Sequence, residues 1–190
     1  MEELLFSYLD QFLPLTEEEK QLMLDLNLFQ SFPAGTILAR EGQYIEQGYF
    51  VLKGCVRSYY LVDGEEKTTS FYTENEGCEL IRDAEGKATH YLVCVEDSIF
   101  NVSTPSIEEE AFRRFPRFES LCRILSEHIV QKKQIALDSF RKASPLERYV
   151  HLLETRPELL QRVPLHQIAS FLGITPESLS RIRKRLAERK

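Results

Sequence analysis

The sequence predicts an α+β chain in which a small all-β barrel or sandwich is followed by helices that close on a helix-turn-helix. Three observations carry this expectation. Between Phe32 and Val102, short apolar and aromatic runs alternate with turn formers at intervals of about ten residues. After Thr104-Pro105-Ser106, apolar positions recur at spacings of three and four instead. The charge is also divided. The chain carries −6 overall, yet Pro176 to Lys190 holds six basic and two acidic residues, a net of +4, leaving −10 on the rest.

A length of 190 residues with 43% apolar and 28% charged residues suits a soluble globular chain of one large or two small domains. The start, MEELLFSYLDQFLPLTEEE, lacks the apolar core of a signal peptide. No stretch approaches the roughly 18 apolar residues of a membrane-spanning helix, so a cytoplasmic location without a membrane partner is expected. Cys55, Cys78, Cys94 and Cys122 are widely spaced with no C-x-x-C pair. That argues against zinc or iron–sulfur ligation and for reduced, mostly buried thiols. The histidines, His90, His128, His151 and His166, form no H-x-H, and three of them lie in the helical half. A cupin-like metalloenzyme is therefore disfavoured, and no nucleophile elbow is present. No catalytic residue, metal or cofactor is expected.

Along the chain, the zone up to about Leu26 reads as helix, with Thr16 and Glu19 spaced as a capping box. The runs TILA, GYFVLKG, CVRSYYLV, KTTSFYT, HYLVCVE and SIFNVS read as strands, and Asp63-Gly64 is the clearest hairpin turn because both residues tolerate positive φ. Phe118, Cys122, Leu125, Ile129, Lys132 and Ala136, widened by Leu121, Ile135 and Leu137, form one seam of a long helix. The seam either covers the β domain with its first turns or pairs with a second copy. Ser144-Pro145 opens a further helix that Pro157 closes.

The segment PLHQIASFLGITPESLSRIRKRL reads as two helices in a tight corner. The first runs from about Leu165 to Leu172 and stops at Gly173, with Ile174 plugging the turn and Ala169 small enough for close approach. Thr175 caps the second helix, Pro176 takes its first position, and Glu177 suits the positive end of the dipole. Leu179, Ile182 and Leu186 make an inward stripe, while Glu177, Ser178, Arg181, Lys184 and Arg185 share the other side. A guanidinium can clamp guanine O6 and N7, a carboxylate can accept from cytosine N4, and later basic residues meet phosphates. The positive charge thus sits on the helix face that would enter a groove.

At these residues the sequence resembles the Crp/Fnr family of bacterial transcription regulators over nearly the whole chain. ILAREGQYIEQGYFVLKGCVRSYYLVDGEE resembles the first half of the family's β-roll, and ASFLGITPESLSRIRKRL its DNA-reading motif. The resemblance implies a jelly-roll-like, cyclic-nucleotide-binding-like sensor over 1–110, a dimerisation helix and hinge over 111–142, and a helix-turn-helix domain over 143–190. It places Glu177, Ser178 and Arg181 at base-reading positions and Thr175 and Ser180 near phosphates, with Arg183, Lys184 and Arg185 completing the basic face. It further implies a homodimer on a two-fold symmetric double-stranded site, joined at Phe118 to Ala136, with RNA polymerase as a further partner. Two departures accompany it. The family's cyclic-AMP receptors hold the phosphate with an Arg about nine residues after a Gly-Glu pair. Here Glu79 is followed at that place by Ala88-Thr89-His90, and Arg82 comes too early. The effector pocket would then rest on Glu79, Lys87, Thr89 and His90, and cyclic AMP is not the expected effector. The second departure is that Lys190 leaves no residues for the family's C-terminal wing. The function expected is sequence-specific transcription regulation; the alternative is a cyclic-nucleotide-binding module with vestigial DNA binding.

Overall fold

The computed structural model describes residues 2–26 and 28–188, so Arg189 and Lys190, where the question of a wing falls, lie outside the described residues. Two helices, α1 (Glu2–Leu9) and α2 (Glu17–Asp25), open the chain where one helical zone was expected. The break falls before Pro14, and the capping box at the second start is complete: Thr16 Oγ1 accepts from Glu19 N, and Glu19 Oε2 accepts from Thr16 N at 2.7 Å.

Eight strands follow: β1 (Phe29–Phe32), β2 (Ile37–Ala39), β3 (Gly48–Lys53), β4 (Val56–Val62), β5 (Glu65–Tyr72), β6 (Glu76–Cys78), β7 (Tyr91–Cys94) and β8 (Ser98–Ser103). They form two antiparallel sheets in the orders β1-β8-β3-β6 and β2-β7-β4-β5, the jelly-roll-like β-roll. Period-two burial along β8 places Phe100 and Val102 in the core with Val51, Val56 and Leu92. Phe32, Tyr49 and Phe100 meet edge to face at 5.7–6.4 Å. Asp63 and Gly64 both take positive φ, 52° and 80°, and turn β4 into β5 with the register Val62↔Glu65.

Helix α3 (Pro105–Arg114) leads to the long helix α4 (Arg117–Lys142). Its beginning is roofed by α1 and α2, where Phe118 and Leu121 are buried with Leu5, Leu22 and Leu52, and Leu125 is packed against the same cluster. Four helices complete the chain: α5 (Pro145–Thr155), α6 (Leu159–Arg162), α7 (Leu165–Phe171) and α8 (Pro176–Ala187). No described helix is long and apolar enough to cross a membrane. The cysteines are free; Cys55 and Cys94 are buried and Cys78 half-buried, but Cys122 is exposed, apart from the burial expected of most of them. Burial pushes the Cys55 thiol up to about 12.

Gly54, at the β3–β4 turn, is the tightest backbone position. It has φ +111°, and a Cβ there would lie 2.2 Å from Ser98 Oγ and 2.7 Å from Ser98 Cα. Gly54→Ala should therefore lower stability by at least about 2 kcal/mol in urea unfolding, more than a Gly→Ala change at an unstrained turn.

Candidate nucleic-acid interface and ligand groove

Helices α7 and α8 form a corner whose shape follows from their ends. Gly173 takes φ +70°; its N–H donates to Ser170 O and Ile174 N–H to Ala169 O, both at 3.0 Å, the paired bonds that close a helix on a left-handed residue. Thr175 Oγ1 accepts from Ser178 N at 3.3 Å and starts α8 with Pro176 in its first turn. Ile168, Ala169, Leu172 and Leu179 are buried together, and Ile182 and Leu186 pack against them.

That packing turns the other side of α8 outward. Thr175, Glu177, Ser180, Arg181, Arg183, Lys184 and Arg185 are exposed, and Ser178 is half-buried. Arg181 Nη2 donates to Ser178 Oγ at 3.3 Å, which holds the guanidinium over the first turn. The Glu177 carboxyl lies below its usual range because its own backbone N–H and the Thr175 hydroxyl bond it, with Arg181 adding attraction. An ionised acceptor and a forked donor stand one turn apart on an open surface, the pair of groups that base edges can meet. Behind them, Arg148 fixes the corner: its guanidinium donates to Phe140 O, Ala143 O and Leu172 O, each at 3.1 Å, and stacks 3.8 Å over the Phe140 ring. One side chain thus closes the C-terminal ends of both α4 and α7. Sequence reasoning passed over it because its partners are backbone carbonyls, which no side-chain pattern marks.

The residues of the long-helix seam divide. Phe118, Leu121 and Leu125 face α1 and α2, Lys132 reaches Glu76 of β6 at 3.6 Å, Ile129 is half-buried, and Cys122 and Ala136 are exposed.

A groove of about 690 Å³ opens between the β2–β3 loop, β6, the segment after β6, and α3 and α4. Tyr44, Glu46, Cys78, Leu80, Arg82 and Ser126 are among its lining. Arg82 donates from Nε to Ile45 O at 2.9 Å, so its guanidinium is partly engaged by backbone. The four residues expected to form an effector pocket are not gathered there. Glu79 pairs with Lys133 of α4, and Lys87 pairs with Glu85 at 2.7 Å. Thr89 Oγ1 donates to Ile81 O at 3.2 Å. His90 is buried, with Nε2 3.1 Å from Glu79 O and Nδ1 without a hydrogen-bond partner. Only Glu79 and His90 meet. Tyr44, Glu46 and Ser126 carry no pattern by which a sequence reading finds them: each is a single residue on a loop or helix.

Residues 29–114 match the family of cyclic nucleotide-binding domains. Beyond it, the solved structures to which the chain is similar include FixK2 from Bradyrhizobium japonicum (20% identity, TM-score 0.66, 85% of this chain and 84% of that one). They also include the catabolite activator protein of Thermus thermophilus (24%, 0.51, 94% and 86%) and the c-di-GMP responsive regulator CLP of Xanthomonas campestris (21%, 0.62, 87% and 91%). No curated protein sequence matches. Over most of its length the chain has the fold of the Crp/Fnr regulators.

Burial holds His90 below the ordinary imidazole value of 6.5. The unfolded chain then binds the proton more readily, so this contribution to stability is complete above pH 6.5 and is lost as pH falls through the depressed native value. Urea unfolding at graded pH should show a decline beginning just below 6.5, and His90→Gln should remove that part of it.

Proposed function

We propose that the chain is a homodimeric, sequence-specific DNA-binding transcription regulator of the cytoplasm, with RNA polymerase as a further partner. Residues 1–110 act as the sensor, 111–142 as the pairing helix and hinge, and 143–190 as the DNA-binding unit. The observation that carries this reading is the orientation of α8: Leu179 is buried while Glu177 and Arg181 project from the same capped turn into solvent. Glu177, Ser178 and Arg181 read bases, Thr175 and Ser180 meet phosphates, and Arg183, Lys184 and Arg185 supply field along the backbone. Pairing runs along α4, where Cys122 and Ala136 of the expected seam are exposed beside Val130 and Leu137.

The effector is a ligand other than cyclic AMP. A cyclic phosphate needs a buried, permanently charged, bidentate cation. At the place where such an Arg is needed stand Thr89 and a buried imidazole, and Lys133 is engaged by Glu79. The similar structures are described with unlike small molecules: the Xanthomonas protein is called c-di-GMP responsive, and CprK is complexed with OCPA. The fold therefore leaves the effector open.

Selection of bound sequences from random duplex DNA tests the base contacts. Arg181→Ala should cost about 1–3 kcal/mol at one base position and relax the preference there. Unchanged affinity and unchanged preference would overturn the reading. Arg183→Ala or Arg185→Ala should weaken binding to all sequences alike and lower the slope of log K against log salt by about one unit. Calorimetric titration with cyclic AMP should give no heat at micromolar concentrations; binding in that range would overturn the exclusion of this effector.

A further inference from the structure

The helix-turn-helix unit does not hang free of the β-roll. Arg162, at the end of α6, donates from Nη1 to Glu74 Oε2 and from Nη2 to Glu74 Oε1, both at 2.9 Å, and from Nε to Glu96 Oε1 at 3.0 Å. Glu74 is itself tied to the β3–β4 turn, accepting from Gly54 N at 2.9 Å. Arg156, at the end of α5, donates to Phe71 O at 3.0 Å, Thr73 Oγ1 at 2.9 Å and Glu76 Oε2 at 3.0 Å. Two arginines of one unit thus meet three carboxylates of the other in forked, charge-assisted geometry. Between them the surfaces are apolar: Cys55 and Phe71 share a buried cluster with Leu159, Val163, Ile168 and Leu172, and Phe71 meets Phe171 edge to face at 5.4 Å.

This contact covers the flank of α7. Thr68 N–H, on the edge strand β5, donates to Ser170 Oγ at 2.9 Å, and that hydroxyl donates to Glu66 O at 3.0 Å. The first helix of a helix-turn-helix crosses the DNA backbone when the second enters the groove. Here the β4–β5 hairpin, in which Glu66 pairs with Arg57 and Glu65 with Lys67, lies against α7 at Ser170.

We propose that Arg156 and Arg162 form a clasp that holds the helix-turn-helix unit against the β-roll and keeps α7 from duplex DNA, so that opening the clasp precedes binding. The inhibitory role rests on the DNA-binding reading above; the clasp itself does not. The strand that holds Arg156 also walls the groove. Glu76 and Cys78 are both on β6, and the second oxygen of Glu76 is 3.6 Å from Lys132 of α4. A ligand that displaces the Cys78–Leu80 wall pulls on the carboxylate that holds Arg156 and Lys132.

Two variants of opposite charge effect test this on the full chain. Arg162→Gln removes a positive charge, and the double change Glu74→Gln with Glu96→Gln removes two negative ones. If only net charge mattered, they would move affinity for a random-sequence duplex in opposite directions. If the clasp matters, both should raise it by about tenfold at fixed salt. Both should also speed hydrogen exchange of the Thr68 amide relative to that of Leu92, a core amide that reports global unfolding. Unchanged Thr68 exchange in both variants would overturn the clasp. Faster exchange with equal or weaker binding, while the wild type binds the duplex, would overturn its inhibitory role. If neither wild type nor variants bind any duplex, the DNA-binding reading fails and the inhibitory role with it, and Thr68 exchange still decides whether the clasp exists.

Discussion

Burial of Leu179 at the floor of the α7–α8 corner decides the direction of every polar side chain on the last helix. Leu179 is about 1% exposed among Ile168, Ala169 and Leu172, which are buried almost completely. Full burial of such a side chain is worth about 1.5–3 kcal/mol, and a one-residue slip of the helix would turn it out and bring Ser178 or Ser180 in. Neither hydroxyl has a partner waiting in that apolar floor, so the slip is doubly unfavourable. The exposure of Glu177 and Arg181 is therefore a consequence of packing on the far side of the same helix. It does not depend on any attraction between the two charges, which at an exposed site is worth little.

A similar substitution of one kind of interaction for another governs the β-roll's interior. The segment after β6 was expected to depart from the phosphate-holding cassette of the cyclic-AMP receptors that the sequence resembles. Among the described residues it forms no helix; it is held by isolated bridges, Arg82↔Ala88 and Tyr44↔Lys87, and by turns. Glu79 meets Lys133 from α4, whose ammonium also lies 5.7 Å from the centre of the Tyr72 ring. The charge that a ligand phosphate would bring to this region is already present as a carboxylate of the protein. The open volume lies instead toward Tyr44, Arg82 and Ser126.

What could be read in the sequence was what neighbouring residues decide among themselves. The Thr16–Glu19 capping box, the Ser144-Pro145 helix start, the Asp63-Gly64 turn and the Gly173 stop each involve atoms within a few residues, and all formed. Six strands announced themselves by β-branched and aromatic runs. β1, reading FQSF, and β6, reading EGC, did not: each is too short for alternation to show, and each exists because a partner strand, β8 or β3, offers it hydrogen bonds. The candidate site divides in the same way. The α8 face was legible from helical periodicity, whereas the groove and the Arg148, Arg156 and Arg162 contacts join residues up to 88 positions apart, as between Arg162 and Glu74. An arginine's spacing in sequence carries no information about an acceptor that distant.

The surface left over bears on the pairing of two chains. The long-helix seam read from spacing begins with residues that α1 and α2 already cover, so Phe118, Leu121 and Leu125 are spent on the chain's own core. Farther along, Val130 is 68% exposed, Ile135 65% and Leu137 44%. Val130 and Leu137 are two turns apart and so lie on one face. Burying Val130 and Leu137 on each of two chains yields several kcal/mol in total at about 1.5–3 kcal/mol each, enough to matter for association. A seam rotated by about a quarter turn from the expected one leaves α1 and α2 in place while two α4 helices pair. It also leaves Lys132, on the far side of the helix, on the β-roll, where it meets Glu76. In that arrangement the same helix carries the proposed pairing face on one side and the link to the groove wall on the other, so movement of β6 and the spacing of the two α8 helices are coupled through one rigid element.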